Sequence, residues 1–117
     1  MKFEYIYGKQ SQEFDYRYIP KAFMKEKRFE KMSVSAKILY AVLFEKQQES
    51  TKMGWIDENN HVYILISVEA LAKEMNWNAV STVAAIEELV NIGLLEMEVA
   101  PAATEMKDRK AYLKRLV

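Results

Sequence analysis

Few residues of this chain have the type and spacing that catalysis or metal binding requires. His61 is the only histidine and cysteine is absent, so neither a Cys-ligated zinc site nor a nucleophile–base pair can be assembled. Residues 57–60 supply side-chain oxygen atoms, but they lack the alternating ligands and the distal glutamate of an EF-hand loop. Glu87 and Glu88 are adjacent on a helix and point apart. The three glycines are isolated, which excludes a Gly-rich phosphate loop. We therefore expect no enzyme activity, no cofactor and no metal.

The basic side chains are distributed unevenly, which matters because Lys and Arg that neutralise phosphates supply much of the affinity for DNA. Residues 1–53 contain 11 Lys and Arg against 7 Asp and Glu, residues 54–106 contain one base against 9 acids, and residues 107–117 contain 5 bases against one acid. The net charge of the whole chain is zero. An ordinary solvated helical face would explain the basic run at 25–31, whereas the C-terminal cluster favours phosphate contact.

The elements of the first half that would position these side chains are predicted from periodicity and caps. Residues 13–19 alternate aromatic and charged residues, as an extended segment does, and 21–32 predicts a helical turn anchored by Phe23, Met24 and Phe29. Ser33 is a good N-cap for a helix that ends near Glu49, before Gly54. Residues 55–57 and 62–66 predict a hairpin with its turn at 59–60, because Asn tolerates a positive φ.

The second half predicts a helix-turn-helix followed by a hairpin. Ser67 caps a helix that residues 76–78 interrupt, and a second helix runs from about 79 to 91 and stops at Gly93. Residues 94–99 and 110–116 then predict two strands around a loop, which is the position of a wing. This order is typical of an α+β winged helix-turn-helix with an extra β-hairpin before the helix-turn-helix. We assign residues 1–12 to an N-terminal arm or edge strand and residues 13–117 to the winged-helix domain.

The helical period divides the second helix into two faces and gives the candidate DNA-contacting residues. Its inward face is predicted to contain Val83, Ile86, Leu89 and Val90, and its outward face Ser81, Ala84, Ala85 and Glu88. Trp77 is predicted to fill the core at the turn between the two helices. Residues 79–92 contain no Lys or Arg, so bases would be contacted through Ser and Thr hydroxyls and through alanine against a thymine methyl group. The candidate site residues are Lys37, Asn78, Ser81, Thr82, Lys107, Arg109 and Lys110.

Three blocks of the chain carry a resemblance to a known family. The segments YIPKAFMKEKRFEKMSVSAKILYAVL, GWIDENNHVYILISVEALAKEM and IEELVNIGLLE resemble successive blocks of the N-terminal domain of the replication initiator protein A family, which plasmids of low-GC Gram-positive bacteria carry. The resemblance covers roughly residues 14–117. It implies a winged-helix domain that binds repeated double-stranded DNA sites at a plasmid origin, commonly as a dimer, and a C-terminal region outside this chain that recruits host replication proteins. Members usually place several lysines along the second helix, and this chain has none there.

Two other functions remain open from the residues alone. A winged-helix protein-interaction module would use the acidic, Ala-rich helix face to bind protein and would not bind DNA, and a transcriptional regulator of the same fold would differ only in its sites. The near-alternate aromatic residues Phe3, Tyr5 and Tyr7 favour an edge that pairs with a second subunit, so we expect a homodimer. The chain has no signal peptide and no apolar run of roughly 18–20 residues that would span a membrane, so we expect a cytoplasmic protein.

Overall fold

The computed structural model describes residues 1–8, 16–98, 101–103 and 107–117, and it contains four α-helices and three strands in these ranges. In chain order they are α1 (Ala22–Lys25), a short 3-10 helix (Lys27–Phe29), α2 (Val34–Met53), β1 (Ile64–Ile66), α3 (Val68–Met75), α4 (Ala79–Ile92), β2 (Leu95–Glu96) and β3 (Arg109–Leu113). The α+β architecture and the order of α2, β1, α3, α4 and the β2–β3 pair match the winged helix predicted from the sequence. Within the described ranges, no helix is both long enough and apolar enough to cross a membrane.

Helix α2 forms the centre of the molecule. Its N-cap is Ser33, whose Oγ accepts a hydrogen bond from the Ala36 N–H at 3.1 Å, as predicted. The helix ends at Met53, four residues later than predicted, because the chain reverses only at Gly54, where φ is +77°. A left-handed residue at this position is readily supplied by glycine, which has no Cβ to clash. Leu39 and Leu43 are fully buried on the inward side of α2.

The segment before α2 packs its aromatic residues against that helix. The Phe23 ring lies edge-on to both Phe29 and Tyr40, with centroids 5.0 Å and 5.1 Å apart, an arrangement that ring quadrupoles favour. The prediction that Met24 also anchors this turn is wrong, since its side chain is 75% exposed and Met32 is buried instead. α1 is only one turn long, and adjacent residues of a helix point in different directions. Phe23 therefore faces α2, whereas its neighbour Met24 faces solvent.

Helices α3 and α4 form the helix-turn-helix. Ser67 caps α3 by accepting the Ala70 N–H at 3.0 Å, and Asn76 ends that helix in the left-handed conformation, with φ of +57°. Asn78 then caps α4 by accepting the Ser81 N–H at 2.7 Å. α4 ends at Gly93, where φ is +97°, as predicted. Trp77, between the two caps, is half-buried and packs against the core. It fills the core at the turn as predicted, but its side chain is only partly buried.

The three strands form one antiparallel sheet with β3 in the middle. Ile64 pairs with Ala111 and Leu95 with Leu113, and all four side chains are buried toward the helices. The β2–β3 hairpin was predicted with longer strands. The predicted pairing of 55–57 with 62–66 is present but shorter than expected: it consists of one antiparallel bridge between Ile56 and Val62, with the Tyr63 N–H donating to the Trp55 carbonyl oxygen at 3.1 Å. β1 also pairs with β3, which was not predicted, and Ile64 and Ile66 are both buried on one face of the sheet.

The turn of the first hairpin has the predicted conformation, since Asn60 has a positive φ of +65°.

The segment before α1 contains no strand in its described residues and is attached to the helices through Arg17. Residues 1–8 contain no strand and are exposed, and residues 16–19 are also outside any strand; residues 9–15, which include part of the predicted extended segment, lie outside the described residues. Arg17 attaches this segment to α2 and α3 through Glu45 at 3.7 Å and Glu74 at 3.1 Å. The division into residues 1–12 and 13–117 stays a prediction.

Candidate nucleic-acid interface

The outward face of α4 is rotated relative to the face predicted from the helical period. Ile86 and Leu89 are fully buried, as predicted, and Val83 and Val90 are partly buried against the core. Ala85 was predicted to face outward and is 3% exposed, so that assignment is wrong. α4 packs simultaneously against α2, α3 and β2, and its buried face is therefore wider than one stripe. The exposed residues are Val80, Ser81, Ala84, Glu87, Asn91 and Ile92.

Thr82 was predicted to contact DNA, and its burial contradicts that prediction. The side chain has no exposed surface, and its hydroxyl donates a hydrogen bond to the Asn78 carbonyl oxygen at 2.8 Å. Threonine at this position fills the volume of a valine while its hydroxyl bonds to the preceding turn, as threonine commonly does inside helices. The side chain therefore supports the first turn of α4 and does not belong to its outer surface.

Asn78 and Ser81 lie at the beginning of α4, and both are exposed. The Asn78 Oδ1 atom accepts the Ser81 backbone N–H at 2.7 Å, so this oxygen is occupied by the helix cap. Asn78 and Ser81 are the two predicted site residues of α4 that the structure leaves accessible. Both are uncharged, and neither supplies the positive charge that phosphate contact requires.

Glu88 has a structural partner that the sequence did not indicate. Its carboxylate accepts a hydrogen bond from the backbone N–H of Ser33 at 2.8 Å, at the beginning of α2. An anion at this point satisfies an otherwise unpaired donor and interacts favourably with the positive end of the helix dipole. The prediction that Glu88 belongs to the free outward face of α4 is therefore wrong, and Glu88 is instead a clamp between α2 and α4. Lys37, another predicted site residue, is half-buried one turn further along α2.

The three predicted wing residues occupy three different positions. Lys107 is exposed in the loop that precedes β3. Arg109 is half-buried at the beginning of β3, opposite Ile66. Lys110 points to the outer face of the sheet, where its Nζ lies 4.4 Å from the centroid of the Tyr63 ring and 5.7 Å from that of Tyr112. Side chains of successive strand residues alternate between faces, so these three cations do not form one cluster. The loop residues 99–100 and 104–106 lie outside the described ranges.

An aspartate closes the first turn against the wing strand. The Asp57 carboxylate accepts hydrogen bonds from the backbone N–H groups of Asn59 and His61, both at 2.9 Å, and from the Tyr112 hydroxyl at 2.8 Å. The His61 N–H and the Tyr112 hydroxyl hold the pKa of the Asp57 carboxyl below its ordinary value, and the same hydrogen bond raises the pKa of Tyr112. The acidic turn is thus joined to the wing strand β3 by the hydrogen bond between Asp57 and Tyr112. No group of three potential metal ligands occurs among the described residues.

Solved structures with a similar fold cover nearly the whole chain. The N-terminal domain of a DNA-binding protein superposes with a TM-score of 0.75 at 23% identity, over 99% of this chain and 86% of that one. A Rep protein solved in a Rep–DNA complex gives a TM-score of 0.74 at 24% identity, over 97% of this chain and 85% of that one. An MDR initiator gives a TM-score of 0.75 at 24% identity, over 97% and 88%. At these identities the similarity establishes the winged-helix fold.

Sequence comparison assigns the family. No curated protein matches the chain. The family model for the N-terminus of the replication initiator protein A matches residues 15–117, a range that contains all four helices and all three strands. The chain therefore belongs to the family of replication initiator protein A N-terminal domains.

Proposed function

We propose that this domain binds repeated double-stranded DNA sites at a replication origin of a plasmid, with α4 in the major groove and the wing on the phosphate backbone. The observation that carries the proposal is the position of α4 within the winged helix. Its interior side is fully packed, while Val80, Ser81 and Ala84 on its first two turns face outward. In helix-turn-helix proteins the N-terminal residues of the second helix contact the base edges. The Rep–DNA complex among the similar structures supports the same partner.

The test is a titration of the domain into fluorescent duplexes that carry directly repeated sites from such an origin, at low salt and then at increasing salt. We expect binding whose affinity falls as salt rises, because each phosphate contact releases counterions. A shuffled duplex of the same composition is the control for specificity. Absence of any binding at low salt would contradict the proposal. Tighter binding to promoter sites than to origin repeats would favour the transcriptional regulator.

A protein-interaction module is the second candidate, and one observation favours it. The exposed surface of α4 contains three apolar side chains, Val80, Ala84 and Ile92, together with Glu87, and residues 79–92 contain no Lys or Arg. Such a surface suits a protein partner as well as it suits bases. The titration above separates the two functions, because an interaction module without DNA contacts gives no change in signal at any salt concentration.

We further propose that the domain forms a homodimer through its N-terminal arm, residues 1–12, and that a region C-terminal to it recruits host replication proteins. Phe3 and Tyr5 are more than four-fifths exposed, and Ile6 is 62% exposed, an apolar surface that association would bury. Two linked domains on repeated sites would bind with greater avidity than one. Light scattering on the full chain and on a variant without residues 1–12 tests this: we expect a dimer and a monomer, and two monomers at high concentration would contradict the arm-mediated dimer.

A further inference from the structure

The first two turns of α4 expose a small uncharged surface that includes apolar side chains. Val80 is 72% exposed, although valine is usually buried. Ala84 lies one turn further on the same face and is also exposed. The acidic residues come later: Glu87 is on the next turn, and the Glu88 carboxylate is bound to the Ser33 N–H. The N-terminal half of the helix can therefore approach DNA without placing a carboxylate between the base edges.

This surface favours one of the four bases. The exposed Ser81 hydroxyl can hydrogen-bond to several bases and does not discriminate between them. Guanine is most often bound by Arg or Lys through its O6 and N7 atoms, and α4 contains neither residue. Adenine is bound by the paired oxygen and nitrogen atoms of Asn or Gln, but the Asn78 Oδ1 atom already accepts the Ser81 N–H that caps the helix. Cytosine offers a donor to Glu or Asp, and no acid lies on the first two turns of α4. Thymine presents a methyl group in the major groove, and methyl groups pack against apolar side chains.

We propose that Val80 and Ala84 recognise thymine methyl groups, so that the sites of this domain are defined by the position of thymines. This inference rests on the proposed DNA-binding function and adds the chemical class of the base that α4 contacts. The wing supplies affinity that does not depend on sequence, whereas the two apolar side chains supply discrimination. The polar atoms of a thymine pair are not required for this contact.

The experiment removes the methyl group alone. Random duplexes are enriched with the domain, the enriched duplex is sequenced, and each thymine is then replaced in turn by deoxyuridine, which lacks only the C5-methyl group. We expect one or two positions at which the replacement weakens binding about three- to fivefold, the effect of removing one buried methyl group from contact. Uracil at the other thymines, whose methyl groups face away from Val80 and Ala84, leaves the affinity unchanged.

The link to Val80 is tested by combining the two changes. The Val80→Ala variant alters an exposed side chain and should fold normally. For this variant, the same deoxyuridine should weaken binding much less than it does for the parent. Ile92→Ala, at the other end of α4 and 43% exposed in the parent, is the matched control and should keep the full effect. A uracil effect that is absent from the parent, or of equal size in Val80→Ala, would overturn the inference while DNA binding stands. If no duplex is enriched at all, the proposed function itself fails.

Discussion

Helix α4 and the wing strand β3 are both proposed to contact DNA, but their side chains differ in charge. α4 packs against three elements, and no Lys or Arg occurs between residues 79 and 92. The segment 107–117 contains 5 bases and one acid, and four of these bases are exposed: Lys107, Lys110, Lys114 and Arg115. Contacts to phosphates position a protein and contacts to bases specify the sequence. In the proposed function, affinity and specificity therefore reside in different elements, so that each can be altered separately.

The largest effect is expected from removing the wing cations. Replacing Lys107, Arg109 and Lys110 together by Ala should flatten the slope of log affinity against log salt by roughly 2–3 units if all three contact phosphate, since each contact contributes about 0.9. Lys110 lies over the Tyr63 ring and Arg109 is half-buried, so the structure makes Lys107 the first single variant to test. Fluorescence anisotropy across a salt titration measures the slope.

The matched control for Lys107→Ala is Lys52→Ala, which removes one exposed positive charge at the end of α2. If both single variants flatten the slope equally, net charge and not the wing determines the affinity. If the triple variant binds like the parent, the wing does not face DNA, and the proposed placement of the wing on the phosphate backbone is wrong.

A smaller effect should separate the two adjacent acids of α4. Glu88→Lys removes the acceptor of the Ser33 N–H and places a cation at the positive end of α2, which should lower the free energy of unfolding by roughly 1–2 kcal/mol. Glu87→Lys alters an exposed residue and should leave stability within about 0.5 kcal/mol. It should also tighten non-specific DNA binding. Urea unfolding and the salt titration measure the two quantities on the same preparations.

Glu88→Gln sharpens this test, because its amide oxygen can still accept the Ser33 N–H and it should lose less stability than Glu88→Lys. Equal stability of Glu87→Lys and Glu88→Lys would contradict the clamp between α2 and α4. If Glu87→Lys gains no affinity, this face of α4 does not approach phosphates.

The smallest effect concerns the attachment of the wing by Asp57. Because the folded-state pKa of Asp57 is lowered, its carboxylate stabilises the fold above the unfolded pKa of about 3.9, and this contribution is lost as pH falls through the lower, folded value. Asp57→Asn should therefore reduce the loss of stability on acidification below about pH 4. Urea unfolding at several pH values measures it, with Glu58→Gln as the control for a neighbouring exposed carboxylate. An unchanged acid dependence in Asp57→Asn would exclude this role.

Local signals in the sequence predicted most of the fold. Ser33, Ser67 and Gly93 mark helix ends because caps depend on residues within one turn of each other. The pairing of β1 with β3 could not be predicted in the same way, since the residues that pair, such as Ile64 and Ala111, are far apart in sequence. The sequence indicated only the nearer partner, residues 55–57, which pairs through the bridge between Ile56 and Val62.

The candidate site was predicted less well, for a related reason. The helical period places Ile86 and Leu89 inward, but it does not say how many elements pack on α4, so the burial of Thr82 and Ala85 was missed. Glu88 and Ser33 are 55 residues apart, and no local pattern connects an acid in one helix with the cap of another. Val80 was also missed, because an apolar side chain near an N-cap is ordinarily assigned to the core.

The clamp formed by Glu88 has a consequence for how such domains can diverge. α4 has 14 residues, and burial or capping already commits Thr82, Ala85, Ile86, Glu88 and Leu89 to the fold. In the proposed function, a change of target sequence during evolution is therefore confined to the remaining outward positions, such as Val80, Ser81 and Ala84. Substitutions there leave the core intact, so a descendant domain can acquire a different site in a few steps without first losing and then regaining its stability.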